Sequence, residues 1–571
     1  MLTKLIHAGL LICLIAAVVG CAPRADDRSP AGQGREQARS GPKRITIPIT
    51  SEPPSLHYNL IPSPIRAAPG ALQEFVHPGL TVYDNTGQLR PLLAEAVPAL
   101  DNRLWTLLPD GRMETTWKLR DGAAWHDGTP LTSADLEFTL TLFQDRELGL
   151  FRDKYSDAVE AVESSDARTI TVRWKRPFIE ANTLFTHTRG LPLPRHLLEK
   201  TYTESKAAFT EQSYWSHDFV GTGPFRLKEW ARGSNLILAA WDGFVLGRPK
   251  LDEIDVRFVT DANTIVANVL SGSADLVLRQ ALSVDQALHV RDQWRDGKVH
   301  TSADGWVTVY PQHLNANPPI VTNVQFRRAL LMAIDRQSLA DTLMDGLLPV
   351  AHSPLFPDTA EYRAAESSMV RYGYEPQRAI QTIEALGYSR GADGQLRDAT
   401  GQRLGFETRA SAQRDMHVKT LLPVVDAWRG IGLDVETQVI PAARASDREE
   451  QATFPAFQVL RQPAGRDRLM AYHSAEARVP ERNFTGNNNG RYMHPDLDAL
   501  IDQFSLTMQP TERLRIAAQI TRHVTEQLPV LPLFFDATPI LIHNRLRGVT
   551  VLTGDEDARQ AWNSYEWDVT D

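Results

Sequence analysis

Two stretches of the sequence carry residue types that could perform covalent chemistry. Gly387, Ser389 and Gly391 fit the pattern G-x-S-x-G, in which a strained turn exposes a nucleophilic serine. The second stretch, WHDGTPLTSADL at 125–136, places a histidine beside an aspartate, with a serine and a second aspartate close behind. A serine, a histidine and a carboxylate are the components of a hydrolytic triad. The neighbouring elements decide whether these residues can act together.

The elements predicted around Ser389 do not suit a nucleophile elbow. An elbow needs a strand before the serine and a helix after it. Here the segment 376–388, PQRAIQTIEALGY, has the periodicity of a helix, and the segment 392–404, ADGQLRDATGQRL, is rich in turn residues. Gly387 suits the left-handed residue that follows a helix. The sequence therefore predicts a helix end here, and Ser389 supports only a distant hydrolase alternative.

Local structure also explains the histidine-containing stretch. The segment Asp127–Pro130 has the composition of a turn, because aspartate favours turn starts and glycine tolerates positive φ. Thr132 and Asp135 have the spacing of an N-cap and the third helical residue, a variant of the capping box. His126 and Asp127 are adjacent on the turn, so we expect their side chains to diverge. These residues predict structure, and an enzyme is not expected.

Motifs for metals and nucleotides are missing from the sequence. There is no H-E-x-x-H and no G-x-x-x-x-G-K-[ST], and the 16 histidines are scattered. The two cysteines, Cys13 and Cys21, cannot form a cysteine-based structural zinc site. The sequence therefore predicts no cofactor and no resident metal, although a metal held by a chelator carried in a ligand stays open.

The length and charge of the chain narrow its class. The 571 residues exceed what one core organises, so two or more lobes are expected. Apolar residues make up 42% and charged residues 23%, which is ordinary for a globular protein. The net charge of −9 argues against nucleic acid as a partner, because phosphates require a basic surface.

The N-terminus indicates export and a lipid anchor. Lys4 precedes an apolar run at 8–19, which is too short to span a bilayer and has the pattern of a signal peptide. Small residues precede Cys21, as in a bacterial lipobox, so we predict a signal peptide at 1–20 and lipidation of Cys21. The segment 21–43 has the composition of a flexible tether. A folded body at a bacterial membrane surface, in the periplasm or outside the cell, is expected.

Strands alternate with helices throughout the second half of the chain, which indicates α/β lobes. Residues 44–49 and 168–177 alternate as strands, and 221–241 predicts a hairpin around Ala231–Ser234. The segment 323–344 has the period of one long amphipathic helix. Its predicted inward residues are Phe326, Leu330, Ala333 and Leu339.

Several segments together resemble the bacterial extracellular solute-binding proteins of family 5, which are the peptide- and nickel-binding proteins of ABC importers. The segment 117–138, WKLRDGAAWHDGTPLTSADLEF, resembles the best-known signature of that family. The segment 221–225, GTGPF, resembles its hairpin motif, and 315–319 with 326–336 resembles its N…PP…VRQAL..AIDR run. The resemblance covers about residues 44–570, in order.

The resemblance implies an α/β fold of the two-lobed periplasmic-binding-protein clamshell type (class II, cluster C), with an extra subdomain in lobe I. It also implies hinge closure around a ligand, an ABC permease and an ATPase as partners, and a monomer. The implied segments are 44–75 for the start of lobe I, 76–211 for the extra subdomain, 212–295 for the continuation of lobe I, 296–526 for lobe II and 527–571 for the return to lobe I.

The resemblance also suggests ligand-binding positions. Asp467 aligns with the aspartate that pairs with the ammonium group of a peptide, and Arg461 could hold a carboxylate. Tyr310 and His313 lie on the strand that enters lobe II, and Ser55 lies in the loop after the first strand. A peptide is the expected ligand. A metal chelate, an opine and an oligosaccharide are the alternative ligands. A sensor that binds its ligand without transporting it is the alternative function.

Overall fold

The computed structural model describes residues 41–61, 67–149, 151, 154–444, 447–553 and 558–570. The predicted signal peptide, Cys21 and most of the tether lie outside the described residues. Residues Pro42–Asp571 form one compact unit. Within the described ranges, we find no helix with the length and apolar character required to cross a bilayer.

The first part of the chain supplies an edge strand of one sheet and all of a second, smaller sheet. Its elements are β1 (Arg44–Ile49), α1 (Ala67–Val76), β2 (Thr81–Tyr83), β3 (Leu89–Pro91), β4 (Trp105–Leu107), β5 (Met113–Lys118), α2 (Ser133–Gln144), α3 (Lys154–Ala158), β6 (Val159–Asp166), β7 (Thr169–Trp174), α4 (Arg195–Glu204) and α5 (Lys206–Phe209). Strands β4, β5, β7 and β6 form an antiparallel sheet in that order. This subdomain sheet has its own core, which includes Trp117 and Trp174.

The next part completes the first sheet and leads into a long strand. Its elements are β8 (Phe225–Ala231), β9 (Asn235–Ala240), β10 (Glu253–Phe258), α6 (Ala262–Leu270), β11 (Leu276–Val277), α7 (Val284–Gln293) and β12 (Gly297–Pro311). The first sheet has the order β1-β10-β9-β8, and β1 lies parallel to β10. Ile45, Ile47 and Ile49 of β1 are fully buried, which explains the β-branched alternation of this strand.

The remaining elements build the second lobe and return to the first. They are α8 (Val324–Met332), α9 (Arg336–Met344), α10 (Ala360–Ala365), α11 (Pro376–Ala385), β13 (Ser389–Arg390), β14 (Leu396–Arg397), β15 (Gly405–Ser411), α12 (Asp415–Gly430), β16 (Asp434–Ile440), α13 (Arg448–Ala452), β17 (Phe457–Pro463), α14 (Asp467–Met470), α15 (Pro495–Leu506), α16 (Pro510–Gln527), β18 (Leu531–His543), β19 (Leu546–Arg547) and β20 (Asp568–Val569).

Two long antiparallel strands, β12 and β18, connect the lobes. They belong to a six-stranded sheet with the order β11-β18-β12-β17-β15-β16. Near one end, Val277 of β11 pairs with Leu541 of β18, beside the core of the first lobe, which contains Ile45. Towards the other end, Val309 of β12 pairs with Val459 of β17 inside the core of the second lobe, which contains Phe326. A strand of this length spans about 50 Å, so the same two strands reach both cores.

Most local predictions are confirmed, but the prediction of one long helix at 323–344 is wrong. The hairpin turns between β8 and β9, where it was expected, and Asp135 accepts a hydrogen bond from the Thr132 backbone N–H at 2.9 Å at the start of α2. The segment 323–344 is two helices, α8 and α9. The Asp335 side chain accepts a hydrogen bond from the Ser338 N–H and is the N-cap of α9. A new helix therefore begins at this point, although the apolar residues continue with the same period. The predicted inward residues are buried.

Candidate functional site

The stretch 125–136, which contains His126, has a structural role. His126 is buried; its Nδ1 accepts a hydrogen bond from the Gly221 N–H at 3.1 Å, and its Nε2 lies 3.0 Å from the Gly223 carbonyl oxygen. Burial lowers the pKa of His126 to about 3, so the ring is neutral. Asp127 instead pairs with His196 at 2.7 Å. The side chains of His126 and Asp127 diverge, as expected, and His126 binds the backbone of the hairpin motif at 221–225.

Ser389 also lacks the setting of a nucleophile. It lies exposed in the two-residue strand β13, shortly after helix α11. Gly387 has a φ of 96° and occupies the left-handed position after that helix, which confirms the predicted helix end. The order of elements is therefore the reverse of an elbow, and the distant hydrolase alternative loses its structural basis.

A cavity of about 310 Å³ has walls from both lobes, and we call it the cleft cavity. Most of its wall comes from the segments before β12 and after β18, while Arg414 reaches it from the start of α12. Its lining residues are Tyr58, Gly70, Ala71, Glu74, His187, Leu278, Arg279, Gln280, Arg414, Arg559 and Gln560. Three of them are arginines and one is an acid. The volume lies at the lower end of the range for ligand pockets.

Arg559 lies beside two of the buried polar side chains of this cavity, His187 and Glu74. Its Nε donates to Nε2 of His187 at 3.0 Å and lies 3.9 Å from Oε1 of Glu74. Burial raises the pKa of Glu74, although Arg559 and Arg279 oppose this, and burial lowers the pKa of His187 well below its ordinary value. Among the described lining residues, three guanidinium groups stand against the one carboxyl group of Glu74.

A larger groove of about 830 Å³ adjoins the cleft cavity, with Arg414 and Gln280 lining both. Arg461 and Asp536 lie at its wall and form an ion pair at 2.8 Å, in which Arg461 is only 9% exposed. Gly305 of β12 makes room for this guanidinium, because a Cβ there would meet Arg461. Asp285 and Lys419 also line the groove and form an ion pair at 3.2 Å. The sequence suggested Arg461 as a carboxylate-binding residue; the structure places it in the groove wall, and its ligand role stays a prediction.

Asp467 takes part in a charged cluster that joins the subdomain to the second lobe. Its Oδ2 lies 3.5 Å from Nη2 of Arg189, and the same nitrogen lies 3.7 Å from Oε1 of Glu180. The Arg189 guanidinium also lies over the Tyr155 ring, 4.5 Å from its centroid. Arg466 lies 3.6 Å from Asp467. A guanidinium of the protein thus occupies the neighbourhood of the predicted ammonium-binding carboxylate.

Replacing Arg189 by methionine is expected to weaken the contact between the lobes. The change removes one of the two cations near both Asp467 and Glu180, of which Arg466 is the other, and Glu180 is only 5% exposed. We expect a larger radius of gyration by small-angle X-ray scattering. Arg173→Met is the matched control, because Arg173 pairs with Glu114 at 3.0 Å inside the subdomain sheet. Equal radii for the wild type and Arg189→Met would contradict the expectation.

The other three predicted site residues, two buried and one half-buried, contact their local surroundings. Tyr310 is 1% exposed, and its hydroxyl accepts a hydrogen bond from Arg468. His313 packs against the ring of Tyr492 at 4.9 Å between centroids, and burial lowers its pKa to about 3. Ser55 accepts a hydrogen bond from the His57 N–H at 3.0 Å. None of the three lines the cleft cavity or the groove, and their ligand roles stay predictions.

Sequence reasoning selected none of the residues that line the cleft cavity. Arg414 had a usable signal, because it lies between β15 and α12, at the carboxyl end of a strand where α/β proteins often bind ligands. Glu74, His187, Arg279 and Arg559 had none, since they come from segments far apart in the chain. Among the described residues, no group of three metal-ligating side chains is found.

Relatives of the chain differ in how much of it they match. The family model of the bacterial extracellular solute-binding proteins, family 5, matches residues 95–473. A Brucella ovis protein, named for peptide binding in an ABC transporter, is 26% identical over 316 residues, 54% of either chain. The chain thus spans about half the length of the first curated relatives that it matches. The oligopeptide-binding protein AppA of Bacillus subtilis is 22% identical over 87% of this chain and 86% of its own.

Solved structures share the fold. NikA from Brucella suis, solved with Fe(III)-EDTA, has a TM-score of 0.74 at 17% identity and covers 92% of this chain and 100% of its own. The oligopeptide-binding protein of Thermus thermophilus, solved with a pentapeptide, has a TM-score of 0.72 at 20% identity over 93% and 97%. This similarity confirms the predicted two-lobed α/β fold. With the family model matching about two thirds of its length, the chain belongs to the bacterial extracellular solute-binding proteins of family 5.

Proposed function

We propose that the protein is an extracytoplasmic receptor that captures a solute between its lobes and delivers it to an ABC permease driven by an ATPase. The observation that carries this proposal is the cleft cavity, whose wall includes Arg414 of the second lobe and Arg559 of the first. Strands β12 and β18 join these lobes, so bending them changes the cavity. A solute that contacts both walls favours the closed form over the open one.

The names of relatives make a peptide the first candidate for the ligand. Both the Bacillus subtilis and the Thermus thermophilus proteins are named for oligopeptides. Backbone groups of the cleft would hold such a peptide as an added strand and tolerate varied side chains. Asp467 would receive the ammonium group only if Arg189, which lies 3.5 Å away, gave up its contact.

The contact between Arg189 and Asp467 favours a second candidate for the ligand, a solute that places no free ammonium group beside Asp467. An anionic chelate or an opine has this character. NikA, which shares the fold, was solved with Fe(III)-EDTA, and a further neighbour was solved with agropinic acid. A receptor that senses its ligand without transporting it would use the same cavity.

The proposed anchor is a lipid on Cys21 after removal of residues 1–20, with 21–43 as a tether. This anchor would keep a monomeric receptor near its permease at a bacterial membrane, in the periplasm or on the cell surface. The sequence pattern around Cys21 supports the anchor, and the extracellular family supports the location.

The first test identifies what the protein carries. The full-length protein is purified gently, then denatured, and the released small molecules are analysed by mass spectrometry. We expect a solute at near one-to-one stoichiometry, and adding it back to emptied protein should raise the melting temperature, because a ligand that binds only the folded state stabilises it. A protein that carries nothing, and is stabilised by no peptide, chelate or opine, would contradict the receptor proposal.

A further inference from the structure

We propose that a second cavity, of about 200 Å³, binds a small zwitterion of the amino-acid class between the subdomain and the second lobe. We call it the subdomain pocket. Ile179 and Asn182 of the subdomain line it, together with Glu361 of α10 and Arg513 of α16 in the second lobe. The inference goes beyond the proposed function, because the described residues that line this pocket line neither the cleft cavity nor the groove.

The charges of the pocket wall match a zwitterion. Among the described lining residues, two acids stand against two arginines. Glu180 and Arg466 already belong to the cluster around Asp467, and Arg466 lies 4.0 Å from Oε1 of Glu180. The other two, Arg513 and Glu361, form no ion pair with each other or with another described residue. A solute with one carboxylate and one ammonium group complements both side chains and adds no net charge to the pocket.

Arg513 provides the binding group for the carboxylate. It is half-buried, and its one side-chain hydrogen bond to another described residue is long, from Nη1 to the Thr507 carbonyl oxygen at 3.4 Å. Burial and the neighbouring Arg466 lower the pKa of Arg513, while the carboxylates of Glu361 and Glu180 oppose this lowering. A guanidinium carries five N–H donors, and a carboxylate accepts two of them in a bidentate pair. A bound carboxylate therefore supplies acceptors for donors that the protein itself leaves without one.

Glu361 and Asn182 provide acceptors for the ammonium group. Glu361 is half-buried, and its carboxylate accepts no hydrogen bond within the described part of the chain. The side-chain amide of Asn182 likewise has no hydrogen-bond partner among the described residues. An ammonium group has three donors, which the oxygens of a carboxylate and of an amide can accept. The pocket wall thus offers a donor group for one end of a zwitterion and acceptors for the other end.

The size and the apolar part of the wall limit the solute to a small one. The cavity volume lies below the range of about 300–1,000 Å³ that is usual for ligand pockets. Leu89 and Ile179 contribute apolar surface, and Ile179 also packs against the core of the second lobe that contains Ile516. An amino acid with an apolar side chain suits this wall. Because the subdomain and the second lobe both line the pocket, such a solute would favour the arrangement in which they are in contact.

The first test compares leucine with two molecules that each lack one of its charges. Full-length protein, stripped of bound solute by unfolding and refolding, is titrated by calorimetry with leucine, alanine, 4-methylpentanoate and 3-methylbutylamine. We expect binding of leucine or alanine, and at least ten-fold weaker binding of the two singly charged probes. If neither amino acid binds, or if a singly charged probe binds as tightly as the better amino acid, the inference is wrong.

Two variants locate the bound amino acid. Arg513→Gln and Glu361→Gln are each expected to weaken binding of the better amino acid at least ten-fold, with circular dichroism showing that the variants are folded. If Arg513→Gln does not fold, the half-buried Glu361 carries the test. Arg515→Gln is the matched control, since Arg515 lies on the same helix, pairs with Glu512 at 2.6 Å and is not among the described lining residues. Unchanged affinity in a folded Arg513→Gln or Glu361→Gln protein would overturn the inference.

The outcomes separate this inference from the receptor proposal. If Arg414→Gln abolishes binding of the amino acid and Arg513→Gln does not, the amino acid occupies the cleft cavity, and the subdomain pocket is wrong while the receptor stands. If binding requires Arg513 and Glu361, but the purified protein carries no solute and no peptide, chelate or opine stabilises it, the pocket stands and the receptor is wrong. A second solute released from the native protein, with the properties of an amino acid, supports both.

Discussion

Lowering the pH from 7 to 5 is expected to decrease the free energy of unfolding by several kcal/mol. Several histidines have a strongly lowered pKa in the folded protein; the pKa is about 3 for His57, His126 and His313 and about 4 for His77, in each case mainly because of burial. An unfolded histidine has a pKa of about 6.5. Below pH 6.5 the unfolded chain therefore binds more protons, and stability is lost as the pH falls towards 4.

The magnitude follows from proton linkage. Each such histidine costs about 2 kcal/mol at pH 5, so the four together cost on the order of 8 kcal/mol, comparable to the whole stability of many proteins. Urea midpoints measured by circular dichroism at pH 7, 6 and 5 test this. His126→Gln should reduce the loss of stability between pH 7 and pH 5 by about 2 kcal/mol. The exposed His217→Gln is the control, and equal midpoints at pH 7 and 5 would refute the expectation.

Replacing Gly221 by alanine is expected to destabilise the protein by about 3 kcal/mol or more. An added Cβ would overlap the carbonyl oxygen of Val76 at the end of α1. The backbone cannot easily move away, because the Gly221 carbonyl accepts from the His126 N–H at 2.9 Å and the Gly223 N–H donates to Val76 at 2.9 Å. Overpacking against fixed backbone costs several kcal/mol.

The measurement is again the urea midpoint, together with the yield of folded protein. Gly430→Ala is the matched control, because an added Cβ at this last residue of α12 would meet nothing within 4 Å. Alanine favours the helix over glycine by up to about 1 kcal/mol, so this variant should be neutral or more stable. If Gly221→Ala unfolds at the same urea concentration as Gly430→Ala, the close approach to α1 does not matter for stability.

Features that depend on neighbours in the chain were predictable from the sequence. The turn at Gly128, the start of α2 and the helix end at Gly387 each need only a few adjacent residues of suitable type. The break between α8 and α9 was predictable in principle from Asp335, but a continuous apolar period favoured one helix. The ordered family segments supplied the two-lobed fold, which no local pattern contains.

The site was much less predictable, since its charges meet only after the lobes assemble. The contact between Arg189 and Asp467 joins residues 278 positions apart. An isolated Asp467 looks like a receptor for an ammonium group, and only the folded chain shows a guanidinium beside it. In the same way, Arg559 and Arg414 are ordinary polar residues until folding brings them to one cavity.

The chain returns to its first lobe at the end of the fold, and this return determines when that lobe can fold during synthesis. The core around β1 also contains Ile540, Ile542 and Trp567, and Lys43 forms an ion pair with Asp568 at 2.7 Å. A nascent chain therefore cannot close this core until residues as late as Trp567 have been synthesised. The first lobe thus stays incomplete until the whole of the second lobe has been made.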